Sequence, residues 1–377
     1  MPHHPGTPSA APAAACRGGA TGEPGTGVTV LADRSDGTVV RCGPVVAKAH
    51  APGTARAVLP AGAPPATDRD PAGPAEPHDE PAALAVRLRV AAHPRAAGIL
   101  LPPLTTESTA LPGDPAARPA GAPPIPPGWP GAPRTGGPGR GPDDAYPAGR
   151  AGPRAVTLWP YGSPVSPDHP EAAPWEAAGR LLARLHTLPV AALPGPLPVM
   201  RGPAKAARAV ARLRAAARPG PAAEAVLAAW AGLPRWARDQ AAMVRADVVC
   251  HGDFHLGQLV RHPAPDGRWL LIDVDDLGLG EPAWDLARPA AWYATGLLTA
   301  DEWNRFLGAY RAGGGPAVPA TGDPWPELDG PARALTVQSA ATALAKAAAA
   351  GRALDEAEQA MVDACARIAR LGTTVVG

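Results

Sequence analysis

Apolar positions change period along this chain, from a strand rhythm near the start to a helical one over most of the rest. Residues 27–50, GVTVLADRSDGTVVRCGPVVAKAH, give three short β-branched runs split by Ser-Asp-Gly and Gly-Pro, which predicts a strand meander. Residues 51–78 predict loop. Pro81 to Ala92 follows a helical period with Leu84, Leu88 and Ala91 on one face. Further strands are expected at Leu100 to Leu104 and at Ala155 to Val165. Beyond these, Pro174 to Leu188 opens on a proline and sets Ala178, Leu181, Leu182 and Leu185 on one helical stripe. More helices are predicted at 204–216, 222–231, 234–246, 284–296, 300–312, 329–350 and 354–371, with Trp303, Phe306 and Tyr310 sharing a core face. Strands first and helices after describe an α+β protein.

Composition adds bounds to this picture. A chain of 377 residues can build two lobes with sizeable cores. Lys+Arg of 35 against Asp+Glu of 34 gives a net charge of +1, which argues against nucleic acid or an anionic membrane as the main partner. Cys16, Cys42, Cys250 and Cys365 lie far apart without metal spacing, which fits a reduced, cytoplasmic protein. Residues 1–26 carry no Lys or Arg ahead of a Pro-interrupted Ala-rich stretch and read as a disordered tail rather than a signal peptide. No run approaches the roughly 18 apolar residues of a membrane span. Residues 112–153 are Pro, Gly, Ala and Arg with few large apolar side chains, a composition expected to stay disordered.

The chemistry concentrates in Val248 to Leu286. Two acid-bearing turns, His251-Gly252-Asp253-Phe254-His255-Leu256-Gly257-Gln258 and Leu271-Ile272-Asp273-Val274-Asp275-Asp276, flank a Pro-Asp-Gly cluster that predicts a hairpin bringing them together. Two carboxylates and an amide on adjacent loop ends suit a hard cation and a base. Mg²⁺ takes oxygen ligands from one or two side chains and leaves its other positions to water and phosphate. Phosphoryl transfer needs such a metal and a carboxylate that orients the attacking hydroxyl. On this reading Asp253 is the base, Gln258 and Asp273 are metal ligands, and Asp275 is a further candidate ligand. The His-x-Asp-x-His string also admits a zinc reading, with Cys250 and His262 as the nearest added ligands.

The strings HGDFHLGQ, IDVD and GEPAWDLA together resemble the aminoglycoside phosphotransferase and choline kinase group of kinase-like enzymes, whose pattern is H-G-D-x-H-x-x-N, I-D-x-[DE], G-[DE]-P-x-x-D-L-A. Gln258 stands where most of that group has Asn, and the H-G-D-x-H-L-G-Q form is similar to the maltokinase branch. The resemblance implies a two-lobed protein-kinase-like fold: an N-lobe over 27–160, interrupted by the 112–153 insertion, and a helical C-lobe over 161–377. It implies ATP or GTP as donor, Mg²⁺ as cofactor and a small hydroxylated acceptor. It implies that Lys48 is the phosphate-binding lysine of the third strand, and Lys48 is one of only three lysines, with Lys205 and Lys346. It places Glu80 as that lysine's partner, Asp33 to Gly37 over the nucleotide, and Trp159 and Tyr161 at the hinge beside the base. His251, His255 and Asp285 are expected to brace the loops, and His186 to be a packed histidine at a helix end.

Two other readings stay open: a silent nucleotide-binding module, and a metal-dependent hydrolase using the same acids on water. The acceptor is expected to be a neutral polyol, sugar or weakly charged metabolite rather than a polycation. From Arg288 onward nine acids face eight bases, too small an excess to hold several ammonium groups.

Overall fold

A computed structural model describes residues 27–34, 37–52, 80–111, 154–216 and 220–373. The expected tail at 1–26, most of the 51–78 loop and the insertion at 112–153 lie outside the described residues. The predicted meander forms as β1 (Val28–Arg34), β2 (Gly37–Cys42) and β3 (Val45–Pro52), each antiparallel to the next. After α1 (Glu80–Ala91) and β4 (Thr109–Leu111), β5 (Arg154–Pro160) inserts between β3 and β4, giving the order β1-β2-β3-β5-β4. Strand period 2 decides which side chains meet. Ala47 and Ala49 pack with Val40 and Val156 in a small cluster. Lys48 and His50 therefore share the opposite face.

Leu100 to Leu104 does not form the expected strand. Leu100 makes isolated bridges to Ala97 and Leu271, and Leu104 N–H donates to the Leu158 carbonyl. Pro102 and Pro103 between them have no N–H to extend a ladder. The segment instead ties the sheet to the rest of the chain.

That remainder is mostly helical. β6 (Ser163–Pro164) leads to α2 (Trp175–His186), α3 (Gly202–Ala216) and α4 (Pro221–Ala231). The region of the acidic turns holds β7 (Val248–Cys250), β8 (Leu259–His262), β9 (Arg268–Leu271) and β10 (Gly278–Gly280). Four helices follow: α5 (Ala283–Thr295), α6 (Ala300–Ala312), α7 (Trp325–Ala350) and α8 (Glu356–Thr373). Helices pack chiefly as α2 on α6, α3 and α5 on α7, and α4 on α8. Trp303, Phe306 and Tyr310 are buried as expected. A capping box of Thr299 and Glu302 starts α6, an arrangement worth about 1 kcal/mol.

The helix expected at 234–246 is reduced to a single turn, Trp236–Arg238, ended by Asp239 in the left-handed region. Trp236 and Met243 pack partly against the core and Val244 is exposed, and the left-handed backbone at Asp239 interrupts a continuing helix. Among the described residues no helix is long and apolar enough to cross a membrane.

Candidate active site

The site rests on a buried brace. Asp285, in the first turn of α5, accepts from the backbone N–H of His251 at 2.6 Å and of Gly252 at 2.8 Å. His186 Nε2 lies 3.0 Å from the same carboxylate and His186 Nδ1 lies 2.7 Å from the Tyr310 hydroxyl. The Tyr310 oxygen accepts in turn from Ala317 N–H at 3.0 Å. Facing a carboxylate, Nε2 holds the imidazole proton and Nδ1 accepts from the tyrosine. The loop carrying Asp253 is thus hung from α2, α5 and α6, as expected for Asp285; the part His186 plays in it was not expected.

Gly252 lets this loop nest against the second turn. Its φ of +85° lies in the left-handed region, and a Cβ there would collide with the Asp276 carbonyl. His251 Nε2, 2.8 Å from the Ile272 carbonyl, fastens the two turns together. The predicted hairpin is present, pairing Leu259 with Leu271 through His262 with Arg268. It sets Ile272 N–H on the Gln258 carbonyl at 2.9 Å. His255 accepts from Gly257 N–H at 3.0 Å, and burial pushes its pKa down to about 4 despite the Asp253 charge nearby. His251 Nε2 and His255 Nδ1 are thereby engaged, while His251 Nδ1 is buried without a partner among the described residues. Among the described residues the His/Cys/acid group close enough to share an ion is His186, Cys250 and Asp285, which includes the brace and neither string histidine.

Asp273 adopts φ 64°, ψ 72°, a left-handed conformation that Asp tolerates better than most side chains. Its Oδ1 receives Lys48 Nζ at 2.6 Å and its Oδ2 receives Gln258 Nε2 at 3.3 Å. Lys48 also reaches Asp275 Oδ2 at 2.9 Å, an oxygen His50 Nδ1 approaches to 3.2 Å. Burial works against the Lys48 ammonium, but Asp273 and Asp275 outweigh it and raise its pKa above the usual lysine range. Burial likewise opposes ionised Asp273 and Asp275, and Lys48 overcomes it, so both pKa values are lowered.

A second ammonium bridge lies alongside. Lys205 Nζ of α3 sits 2.6 Å from Asp253 Oδ2 and 2.8 Å from Asp276 Oδ2. Arg288 of α5 donates to Asp253 Oδ1 at 2.9 Å, and Arg201 Nε is 3.6 Å from Asp276 Oδ1. Burial would raise the Asp253 pKa, yet Lys205 and Arg288 lower it. α3 can approach because Gly202 leaves room for the Trp284 ring, which any Cβ there would strike.

Asp253, Gln258, Asp273, Asp275 and Lys48 thus gather in one partly buried polar cluster. The other expected residues do not join them in the expected way. Glu80 begins α1, but its side chain lies outside the described residues, and the carboxylates that meet Lys48 are Asp273 and Asp275. Trp159 turns its indole into the core and donates Nε1–H to Thr157 Oγ1 at 2.9 Å. Tyr161 lies under the Arg41 guanidinium, its N–H donates to Pro44 and its carbonyl receives His262 Nδ1. The Trp159 indole N–H and both backbone polar groups of Tyr161 are therefore paired within the fold. Asp33 accepts from Thr38 Oγ1 at 2.9 Å, and residues 35–36 between them lie outside the described residues.

His50, Lys205, Asp276 and Arg288 complete the cluster without having been assigned a role from sequence. His50 carried a signal, its two-residue spacing from Lys48 on a strand. Lys205 carried another, the scarcity of lysine that already marked Lys48.

Compared with known proteins, residues 143–325 match the phosphotransferase enzyme family. Among curated proteins none matches the chain. Of solved structures, an aminoglycoside phosphotransferase from Streptomyces rimosus shares 20% identity over 83% of this chain and 93% of its own, with a TM-score of 0.45. A choline kinase from Streptococcus pneumoniae shares 14% identity over 92% and 94%, TM-score 0.47. A choline/ethanolamine kinase family protein from Mesorhizobium loti shares 14% over 92% and 88%, TM-score 0.42.

Proposed function

From the match of residues 143–325 to the phosphotransferase enzyme family, we propose that this chain moves the γ-phosphoryl group of ATP or GTP to a hydroxyl of a small molecule. The observation that carries the reading is the convergence of Lys48 from the sheet and Asp273 from the second turn with Gln258 from the first turn, which also bears Asp253. The acceptor oxygen forms a bond to the γ-phosphorus while the bond to the β-phosphate oxygen breaks. The products are a nucleoside diphosphate and a phosphate monoester.

Asp253 orients the hydroxyl and takes its proton. Lys205 and Arg288 occupy one acceptor position on each Asp253 oxygen, and a carboxylate has about four such positions, so a substrate hydroxyl can still donate. Held ionised, Asp253 is a weak base. Its main contribution is orientation, which is what a loose phosphoryl-transfer transition state asks of it.

The residues fit Mg²⁺: an all-oxygen donor set of Asp273, Asp275 and the Gln258 amide suits a hard cation, and the left-handed backbone at Asp273 is a conformation held for a purpose other than helix or strand. When bound there, the ion would neutralise phosphate charge. Lys48 binds donor phosphate, and in doing so gives up one or both of its carboxylates.

The test is nucleotide turnover with and without an acceptor panel, following phosphorylated product by mass. Acceptor-dependent product formation is expected, and Asp253→Asn should lower kcat at least about 10²-fold. A silent module would turn over no nucleotide in any mixture, and a metal-dependent hydrolase would act without nucleotide.

A further inference from the structure

Building on the Mg²⁺ reading of Asp273, Asp275 and Gln258, we propose that His50 is a positioning residue for Asp275: its Nδ1–H holds one oxygen of that carboxylate and leaves the other to a divalent cation, while Thr157 and Trp159 behind it fix the imidazole tautomer. His50 stands two residues after Lys48 on β3, so strand alternation puts both on one face of the sheet. On β5, Thr157 pairs with Lys48 and Trp159 pairs with Val46, which sets their side chains on that same face.

A line of hydrogen bonds runs from the sheet to the second acidic turn. Trp159 Nε1–H donates to Thr157 Oγ1 at 2.9 Å, His50 Nε2 lies 2.9 Å from the same oxygen, and His50 Nδ1 lies 3.2 Å from Asp275 Oδ2. An indole N–H only donates and an ionised carboxylate only accepts, which orders the hydrogens between them. Nδ1 carries the hydrogen that meets Asp275, and Nε2 accepts from the Thr157 hydroxyl. His50 is 2% exposed and Thr157 0%, so water does not compete for these groups. A buried imidazole is costly unless its nitrogens are bonded, and here both are.

An apolar side chain could fill the same place in the sheet with no polar network to satisfy. What the network adds is its far end, Asp275, 225 positions along the chain. Among the described residues, Lys48 at 2.9 Å and His50 at 3.2 Å both meet this carboxylate at Oδ2. When Lys48 turns to the donor phosphate, His50 is the contact that keeps Oδ2 held. An imidazole can give that bond without placing the full charge of an ammonium beside a cation. Carboxylates that ligate metals are commonly oriented by hydrogen bonds of this kind.

The experiment reads cation binding rather than turnover. The full chain, with a non-hydrolysable ATP analogue, is titrated with Mn²⁺, and free Mn²⁺ is followed by its paramagnetic resonance. In His50→Asn the amide nitrogen stands in for Nδ1, and in His50→Gln it stands in for Nε2. His50→Gln should weaken Mn²⁺ binding about 10-fold or more, and His50→Asn should recover most of the loss. Affinities that do not separate the two variants in this order would overturn the positioning role while leaving the metal reading intact. A parent protein that binds no Mn²⁺ beyond what the analogue itself binds would overturn that reading and the proposal with it.

Nitrogen NMR of the metal-free parent keeps the proposal open to refutation even if the variants do not fold. The His50 ring, recognised among the ten histidines by its closeness to the Trp159 and Thr157 protons, should carry its hydrogen on Nδ1. A hydrogen on Nε2 with a bare Nδ1 would overturn the proposal.

Discussion

Two lysines each bridge two carboxylates in this cluster, and the two bridges differ in origin and in charge balance. Lys48 reaches Asp273 and Asp275 from the sheet, 225 positions away from Asp273 in sequence. Lys205 reaches Asp253 and Asp276 from α3, 48 positions from Asp253. Around Lys48 two acids outnumber one lysine, a deficit suited to a divalent cation and its nucleotide. Around Lys205 stand two further cations, Arg288 and Arg201. On the proposed reading the contrast marks a donor side that spans sheet and helices and an acceptor side built within the helical part.

The largest expected effect is on the donor side. Asp273→Ala removes the proposed anionic ligand and the shortest contact of Lys48, and Mg²⁺-dependent phosphoryl transfer should be lost. Retained transfer at ordinary Mg²⁺ concentration would break the division at its root. Lys48→Met comes next: nucleotide KM should rise by about 10-fold or more while acceptor KM stays put, as read from steady-state kinetics with each substrate varied. A rise in acceptor KM alone would exchange the two sides. Gln258→Asn should be milder, within several-fold of the parent, because the amide oxygen survives at shorter reach. Gln258→Ala should need more Mg²⁺ for half-maximal rate, and an unchanged Mg²⁺ titration would remove the amide from the ligand set.

How far the sequence discloses this division follows from chain distance. Asp253, Gln258 and Asp273 sit on turns flanking one hairpin, so their neighbourhood is set by residues within a few positions, such as Gly252 and the Asp266-Gly267 pair. Those were legible. The placement of Lys48 also followed, since strand alternation fixes its face. Lys205 was not assigned, because its role depends on α3 passing Trp284 closely enough to need Gly202, and helical periodicity carries no such information. The surroundings of Trp159 and Tyr161 were not legible for a similar reason. Their aromatic and backbone groups are claimed by Thr157, Pro44 and His262, partners that only the folded path brings near. The strand expected at Leu100 to Leu104 failed on Pro102-Pro103, a local signal outweighed in the reading by its leucines.

The smallest effect concerns pH. His255 has its pKa lowered by burial from the ordinary 6.5 to about 4. As pH falls below 6.5 the unfolded chain takes up this proton before the native one does, so stability declines between pH 6.5 and about 4. Melting temperature should fall across that window, and His255→Gln should flatten the slope. A melting temperature that rises on acidification from pH 6.5 to 4.5 would contradict the buried, neutral imidazole. Activity should show no acid limb from Asp253 in the same window, since its pKa is lowered below the ordinary 3.8.

The measurement closest to the central claim is calorimetric titration of Mg²⁺-ATP into two variants. Asp253→Asn should bind the nucleotide like the parent, because its carboxylate serves the acceptor side, whereas Asp273→Ala should bind it at least about 10-fold more weakly. Loss of nucleotide binding in Asp253→Asn, with binding retained in Asp273→Ala, would contradict the assignment of the two sides.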